Sequence, residues 1–232
     1  MKIHLKTTTS TMDVARILIE KGVESGTVVY ADYQENGRGR IDGRKWISNP
    51  NESLLATFIF KTEDIGFQIT SFPLFAGYIV ASIIKSEYSI DCKVKWPNDV
   101  LAGESKLCGI YTDCIDSYIS CGIGINLNQT EFMQNHHRLP CSIRSITGKN
   151  ADRDFILDLL ISEFDKNIRE NRWFSKFQNL LYRKGEVISV LEGLADCGNR
   201  IDGILEGIGE YGQMLIREAN GNIREIFTAE IL

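Results

Sequence analysis

The most informative stretch of the sequence is Gly37-Arg38-Gly39-Arg40-Ile41-Asp42-Gly43-Arg44-Lys45-Trp46. It holds three glycines, three arginines, one lysine and one tryptophan, and it follows a strand-like run over 27–33. Glycines allow backbone conformations that other residues avoid. Arginine guanidinium groups match the oxygens of phosphates and carboxylates, and an indole offers a flat face to a ring. The loop therefore predicts an anionic ligand that carries a ring, and a solvated glycine-rich turn is the alternative.

Composition and charge place the rest of the chain among ordinary globular proteins. The 232 residues suit one large domain or one domain with a small appendage, and 43% of them are hydrophobic. The net charge of −5 argues against nucleic acid as the main partner, so we expect no DNA partner. No apolar run approaches the roughly 20 residues of a membrane span, and the N-terminus lacks the apolar region of a secretion signal. We therefore expect no membrane association and a cytoplasmic location.

The six cysteines form no recognisable metal or disulfide pattern. They contain no CxxC pair and do not cluster with histidine, whereas a zinc site or a disulfide framework would need closer spacing. We interpret them as small buried or half-buried hydrophobic residues, and we place His136 and His137 in a surface loop. The cysteines are at positions 92, 108, 114, 121, 141 and 197.

Hydrophobic periodicity and capping residues predict an α+β body. Ser10 with Asp13 is a standard helix start, and Gly22 closes the helical pattern that follows. Asp116 forms a tight connection between two strands. A helix over 152–167 should carry on one side Phe155, Ile156, Leu159, Leu160 and Phe164. The other predicted elements are strands over 27–33, 54–61, 107–115 and 117–127, and helices over 72–84 and 173–183.

The sequence changes character near Gly185. Short β-type runs then alternate with glycine, aspartate and asparagine, which indicates a small all-β module of about 45 residues. We therefore predict two domains, a body over 1–184 and a small β-barrel over 185–232. The β-type runs cover 187–191, 201–208, 213–219 and 223–227.

Three further groups of residues carry chemistry. In Lys95-Trp96-Pro97-Asn98-Asp99 the proline breaks a strand, so Asn98 can recognise a polar group and Asp99 can hold Mg²⁺. Lys106 begins the next strand and can neutralise a carboxylate. The alternating glycines of Gly122-Ile123-Gly124-Ile125-Asn126 leave one strand face open to a flat ligand. A structural turn, a solvated strand end and a close-packed sheet contact are the respective alternatives.

The order and spacing of these segments resemble the biotin protein ligases over nearly the whole chain. The set of a GRGR loop, KWPND, KxxGI and GxGIN is highly specific, and the last residues look like that family's C-terminal SH3-like barrel. The resemblance implies a mixed sheet packed with helices, the class II synthetase-like catalytic fold of that family. The matching segments are Ser10-Thr11-Met12-Asp13, Gln34, Gly37 to Trp46, Lys95 to Asp99, Lys106 to Ile110, Gly122 to Asn126, Gly203 to Gly212 and Thr228-Ala229-Glu230-Ile231.

The activity that the resemblance implies is a two-step ligation. The carboxylate of biotin attacks the α-phosphate of ATP, with Mg²⁺ as cofactor, and gives biotinyl-5′-AMP and pyrophosphate. A lysine of a biotin carboxyl carrier protein then attacks this mixed anhydride and forms an amide. Relatives often dimerise, so a homodimer is possible. The DNA-binding domain of some relatives has no room before Ser10, so we expect no repressor activity.

The roles of the family's residues carry over to the matching positions of this chain. The resemblance implies catalytic roles for Lys106, Arg38 and Arg40, and a metal-binding role for Asp99. Biotin would be bound by Ser10, Thr11, Met12, Gln34, Gly37, Arg38, Gly39, Arg40, Lys106, Gly109 and Gly122. ATP and the adenylate would be bound by Arg40, Arg44, Trp46, Lys95, Asn98 and Asn126.

The chemistry of such a ligation agrees with these residue types. Two anions must approach each other before they react, and cations offset that repulsion. A carboxylate is already ionised at pH 7, so the first step needs no general base. Ordering the loop over 37–46 costs on the order of 10 kcal/mol, which charge-assisted contacts approach only when ligand is present. We therefore hypothesise that this loop closes over biotin or its adenylate.

Two positions depart from the family pattern, and three other functions compete. The chain has one residue more between Arg40 and Arg44 than the common spacing, and Met12 replaces the asparagine of many relatives. A lipoate- or octanoate-handling relative shares the fold but lacks the GRGR loop and KWPND. The other two alternatives are a nucleic-acid-binding module that uses 37–45 and a non-catalytic biotin sensor.

Overall fold

The architecture consists of a large mixed sheet with helices on both faces, followed by a smaller antiparallel sheet. The computed structural model describes residues 1–39, 45–132, 139–193 and 198–232. The helices are α1 (Thr11–Glu20), α2 (Phe72–Tyr88), α3 (Ile143–Thr147), α4 (Arg153–Asn167) and α5 (Trp173–Phe177). The first nine strands are β1 (Lys2–Thr8), β2 (Thr27–Gln34), β3 (Gly37–Arg38), β4 (Lys45–Trp46), β5 (Ser53–Lys61), β6 (Cys92–Lys95), β7 (Asp99–Ala102), β8 (Ser105–Ile115) and β9 (Tyr118–Asn126). The last five are β10 (Val187–Glu192), β11 (Asn199–Ile208), β12 (Met214–Arg217), β13 (Ile223–Ile226) and β14 (Ala229–Ile231).

The large sheet has the strand order β1-β2-β5-β9-β8-β7-β6. Its first two strands are parallel and all other neighbours are antiparallel, which confirms the predicted mixed sheet. In β5, eight of nine residues are buried, because α1 covers one face of the sheet and α2 and α4 cover the other. A strand covered on both faces is a continuous apolar run in the sequence. This explains why 54–61 lacks alternation between polar and apolar residues.

Local signals fixed most element boundaries correctly. The hydroxyl of Ser10 accepts from Met12 N at 3.3 Å and caps α1. The carboxylate of Asp152 accepts from the backbone nitrogens of Asp154 and Phe155 and caps α4. Asp116 has a φ of 51° and forms the tight connection between β8 and β9.

Two helix predictions were wrong in detail. Phe155 is 47% exposed, and the buried face of α4 carries Ile156, Leu157, Leu160 and Phe164. The predicted helix over 173–183 ends at Phe177, because the chain beyond it runs along the edge of β6. Val94 N donates to Leu180 O at 2.7 Å, and Tyr182 N donates to Val94 O at 2.9 Å. These non-local bonds replace the helical ones.

One segment of the core has the length and composition of a membrane span, contrary to the expectation from the sequence. Ile69–Tyr88, which is α2 together with the 3-10 turn before it, is 20 residues long and mostly apolar. Its most apolar part is 61% buried inside the protein, which is typical of a core helix. Along the described ranges, no other helix meets these criteria.

The C-terminal strands form a five-stranded antiparallel sheet in the order β13-β12-β11-β10-β14. The sheet is consistent with the predicted SH3-like module, and β14 adds a strand that the sequence did not indicate. Within the described part of the chain, its edge strands β13 and β14 do not pair with each other, and no closed barrel is seen there. One hydrophobic cluster includes both Phe164 of the body and Val190 of this sheet. The domain boundary at 184/185 stays a prediction.

Candidate active site

A pocket of about 500 Å³ opens over the central strands of the large sheet. The start of α1 and the short strands β3 and β4 form its rim, and strands β5, β8 and β9 form its floor. Its lining residues are Ser10, Thr11, Met12, Gln34, Arg38, Gly39, Trp46, Leu55, Ala56, Asn98, Lys106, Gly109, Ile110, Tyr111, Gly122, Ile123 and Gly124. The pocket therefore brings together segments that are separated by up to about 110 residues in the sequence.

One end of the pocket is a buried polar network. Gln34 Oε1 accepts from Thr11 N at 2.7 Å and from Thr11 Oγ1 at 3.0 Å. The hydroxyl of Thr57 donates to Thr11 Oγ1 at 2.8 Å, and Ser10 is buried beside it. These bonds fix the direction of each donor and acceptor. Fixed polar groups in a buried site select a ligand whose own polar groups match them.

The floor of the pocket carries glycines, and two side chains cover them. Gly109 and Gly124 are cross-strand partners in β8 and β9. A Cβ atom added at Gly124 would lie 2.6 Å from Trp46 Cε2, so the indole lies directly on the backbone. A Cβ atom at Gly122 would lie 2.9 Å from Met12 Sδ. Both large side chains need glycine beneath them.

Two cations at the pocket are each paired with an aspartate. Lys106 Nζ lies 2.6 Å from Asp99 Oδ1, and Arg38 forms an ion pair with Asp13 in the first turn of α1. The Lys106 ammonium also lies 5.9 Å from the Trp46 ring centroid. These cation–carboxylate pairs are partly exposed, so the cations remain available to an anion that enters the pocket.

A second pocket of about 760 Å³ adjoins the first, and Trp46 and Lys106 line both. In its wall, the Asn126 amide donates to Cys141 O at 2.9 Å and accepts from Gln129 Nε2 at 3.2 Å. Trp46 Nε1 is buried and has no hydrogen-bond partner among the described residues. The second pocket is lined by Lys45, Trp46, Ile47, Ser48, Asn49, Lys106, Asn126, Gln129, Glu131, Phe132 and Pro140.

Most of the site residues predicted from the sequence converge, and a few do not. Gly37 is buried behind the pocket, where a Cβ atom would lie 2.6 Å from Trp46 O. The Lys95 ammonium extends away from the pocket and donates to Ile231 O at 3.3 Å. Arg40 and Arg44 lie outside the described residues, as do His136, His137 and Cys197, so loop closure stays a hypothesis. The predicted site residues that line one or both pockets are Ser10, Thr11, Met12, Gln34, Arg38, Gly39, Trp46, Asn98, Lys106, Gly109, Gly122 and Asn126.

Sequence reasoning missed several residues of the site. Asp13 was interpreted only as a first-turn acid, although its position three residues after Ser10 places it at the rim. Thr57 gave no signal, because it lies in an apolar strand. Gly124 belongs to the quoted glycine segment, but only the contact with Trp46 distinguishes it from Gly122.

Asp99 is the residue that was predicted to hold a metal. Its carboxylate follows Asn98 at the start of β7 and is 22% exposed. Across the described ranges, no group of three or more His, Cys, Asp or Glu side chains is placed to hold a metal ion. Mg²⁺ is usually held by one or two carboxylates together with phosphate oxygens and water, so a single carboxylate fits that mode.

Comparisons with known proteins agree on one family. A model of the biotin/lipoate A/B protein ligase family matches residues 4–128. The chain is 30% identical over 233 residues to the bifunctional ligase/repressor BirA of Bacillus subtilis, and the alignment covers 96% of this chain and 70% of that protein. It is 26% identical to the biotin–[acetyl-CoA-carboxylase] ligase of Paracoccus denitrificans, with 92% and 93% covered. The biotin protein ligase of Aquifex aeolicus in complex with biotin and ATP superposes with a TM-score of 0.85 at 30% identity and covers 100% of this chain and 97% of that one.

Proposed function

The chain belongs to the biotin/lipoate A/B protein ligase family, within which it is a biotin protein ligase, and from that premise we propose how its two pockets divide the work. The first pocket binds biotin, the second binds the nucleotide of ATP, and the activated biotin passes to a lysine of a biotin carboxyl carrier protein. The observation that supports this division is that Lys106 lines both pockets.

The polar end of the first pocket suits the ureido ring of biotin. A cyclic urea offers one carbonyl acceptor and two N–H donors in a fixed plane. Ser10 and Thr11 supply buried hydroxyl groups and Gln34 a half-buried amide, and the Gln34 carbonyl is already oriented by two donors from Thr11. Because these bonds hold the donors and acceptors in fixed directions, the pocket favours a ligand whose own polar groups match them.

The junction of the pockets suits the first chemical step. A carboxylate and a phosphate repel each other, and Lys106 lies where both would meet. Its ammonium offsets that repulsion and stabilises the charge that develops on phosphorus. Arg38 at the rim adds a second cation. No proton has to be removed, because the biotin carboxylate is ionised at neutral pH.

Magnesium fits this proposal as a substrate-associated ion. When bound, it would neutralise phosphate charge, and Asp99 with Asn98 beside it would hold it. Lys106 would then transfer its ionic contact from Asp99 to the reacting anions. This exchange keeps every charge in the site paired.

The free edge of β8 is a candidate docking site both for the carrier protein and for a second copy of the chain. Strand β7 pairs with β8 only up to Gly109, so the segment 111–115 has one edge without a paired strand among the described residues. An unpaired edge can accept a strand from another chain. We propose that the carrier protein docks there and that a homodimer would use the same edge. The cytoplasm remains the expected compartment.

Mass spectrometry of a carrier domain tests the activity directly. The domain is incubated with biotin, MgATP and the wild-type protein, and a biotin adduct is expected on one lysine. The matched controls are a carrier domain with that lysine changed to arginine and a reaction with Lys106→Met. An adduct formed from lipoate or octanoate but not from biotin would overturn the assignment. Biotin binding without any adenylate or adduct would indicate a sensor.

A further inference from the structure

The wall of the second pocket contains a buried side-chain oxygen that lacks a partner. Gln129 lines this pocket and is 3% exposed. Its Oε1 atom is buried and has no hydrogen-bond partner among the described residues. Buried polar groups of folded proteins are nearly always paired, so an unpaired one needs an explanation. At the wall of a pocket, a partner supplied by the ligand provides that explanation.

The neighbours of Gln129 fix which of its side-chain atoms is the unpaired one. The nitrogen of the Asn126 amide lies 2.9 Å from Cys141 O and 3.4 Å from Lys106 O. Backbone carbonyls only accept, so the Asn126 nitrogen has to face them, and the Asn126 oxygen accepts from Gln129 Nε2 at 3.2 Å. Gln129 Nε2 also donates to Ser53 Oγ at 2.7 Å. The unpaired atom of Gln129 is therefore an oxygen, which can only accept.

The same two amides prevent Gln129 from presenting a donor instead. Rotation of its carboxamide by half a turn would place its oxygen against the Asn126 oxygen, and two acceptors repel each other. Asn126 cannot rotate with it, because the Asn126 nitrogen would then lose both carbonyl partners. The hydroxyl of Ser142 donates to Gln129 O and holds the backbone as well. The second pocket therefore contains an acceptor of fixed identity.

Such an acceptor distinguishes one purine base from another. Adenine carries an amino group, which donates, at the ring position where guanine and hypoxanthine carry a carbonyl oxygen, which only accepts. The volume of about 760 Å³ is sufficient for a purine ring. The aromatic and apolar residues of the wall, which suit a flat ring, are Trp46, Ile47, Phe132 and Pro140.

We propose that Gln129 determines the specificity of the second pocket for adenine, because its Oε1 atom accepts a hydrogen bond from the 6-amino group of the base. Asn126 is then a positioning residue, since it fixes the atom that Gln129 presents. The inference rests on the proposed function and names the base that the same site selects. Because Oε1 is buried, the base has to displace the atoms that cover it, and the bond then forms away from water. A hydrogen bond in such surroundings discriminates more strongly than one in water.

The experiment compares three magnesium nucleotides that differ in the purine at position 6. ATP carries the amino group there, purine riboside triphosphate carries hydrogen, and inosine triphosphate carries oxygen. Pyrophosphate release at saturating biotin gives kcat/KM for each. In the wild-type protein, kcat/KM should be about three- to tenfold lower for purine riboside triphosphate than for ATP, the range of one neutral hydrogen bond. It should be about ten- to a hundredfold lower for inosine triphosphate, because two acceptors then face each other.

Gln129→Met tests whether this side chain is the source of the preference. The variant keeps the length of the side chain and removes the amide, so it should use ATP and purine riboside triphosphate equally well. Gln129→Leu serves if Gln129→Met does not fold. Asn128→Leu is the matched control, because the Asn128 amide bonds to Ala151 O at 3.0 Å and to Ala151 N at 2.8 Å. Asn128 is not one of the described residues that line either pocket, so this variant should keep the wild-type preference.

Two results would overturn the inference. One is equal kcat/KM for ATP and purine riboside triphosphate in the wild-type protein, and the other is a preference for ATP that persists undiminished in the Gln129 variant. If the wild-type protein forms no biotinyl adenylate with any of the three nucleotides, the proposed function fails instead. The failure of the inference and the failure of the proposed function are therefore distinguishable.

Discussion

Replacement of Gly124 by alanine is expected to displace the indole of Trp46 from the large sheet. The added Cβ atom would lie 2.6 Å from Trp46 Cε2 and 2.9 Å from both Cδ2 and Cζ2. Carbon atoms in favourable contact are about 3.5–4.0 Å apart, so the ring has to retreat by roughly 1 Å. An indole is rigid, and it can retreat only as a whole.

The size of the effect follows from this geometry. Overpacking a well-filled contact costs about 1–3 kcal/mol in the free energy of unfolding. Trp46 lies on a two-residue strand, which yields more easily than a long one. We therefore expect the lower part of that range, about 1 kcal/mol. Because Trp46 lines both pockets, the KM values for biotin and for ATP should rise together.

A double-mutant cycle measured by urea unfolding isolates the contact. In a Trp46→Ala background, Gly124→Ala should cost less than about 0.5 kcal/mol, because the clash is gone. Gly122→Ala is the matched control on the same strand, since its Cβ atom would lie 2.9 Å from Met12 Sδ. It should therefore be coupled to Met12→Ala and additive with Trp46→Ala. Additivity of Gly124→Ala with Trp46→Ala would refute the reasoning.

Three further predictions concern charge and burial. Lys106→Met should lower the rate of adenylate formation by about 10²–10³-fold, measured as pyrophosphate release, because one preorganised cation is lost. Burial alone would raise the pKa of Asp32, but hydrogen bonds from His4 and Arg153 outweigh it and hold the pKa below its usual 3.8. The stability from this pairing is present above about pH 4 and is lost as pH falls through the lowered pKa. The Tm of Asp32→Asn in thermal unfolding should therefore fall less between pH 7 and pH 3 than the Tm of the wild type. Desolvation raises the pKa of every described cysteine thiol, and Cys114 is the exposed one, so peptide mapping after iodoacetamide at pH 8 should find Cys114 modified first among them.

The parts of the fold that could be predicted from the sequence are those set by neighbouring residues. The starts of α1 and α4 could be predicted from Ser10 and Asp152, because the side chain of an N-cap residue accepts from backbone nitrogens two or three residues ahead. The helix predicted to continue to 183 failed because residues 180–182 pair with β6, about 90 residues earlier in the chain. Periodicity within a window contains no information about such a partner.

For the candidate site as well, the local features could be predicted from the sequence and the non-local ones could not. The type of each residue could be predicted, since cations and glycines follow from an anionic, flat ligand. Their pairing could not, because it depends on the register of β8 and β9. That register places Gly109 opposite Gly124 and so creates a platform for Trp46. Lys95 shows that closeness in sequence does not ensure a shared site. It lies three residues before Asn98, yet its ammonium donates to Ile231 O away from the pocket.

The pairing of both pocket cations with aspartates has a consequence for how much the site gains from its substrates. An anion that binds Lys106 or Arg38 replaces an existing ionic contact with Asp99 or Asp13, so only the difference between the two contacts contributes to affinity. Under the proposed function, Mg²⁺ would give the displaced Asp99 a new cation, and the exchange would then retain nearly the full contact. Asp13 at the rim remains partly exposed to water, which solvates it at little cost. Under the proposed function, a magnesium nucleotide is therefore expected to gain more from this exchange than a carboxylate alone, which would leave Asp99 without a partner.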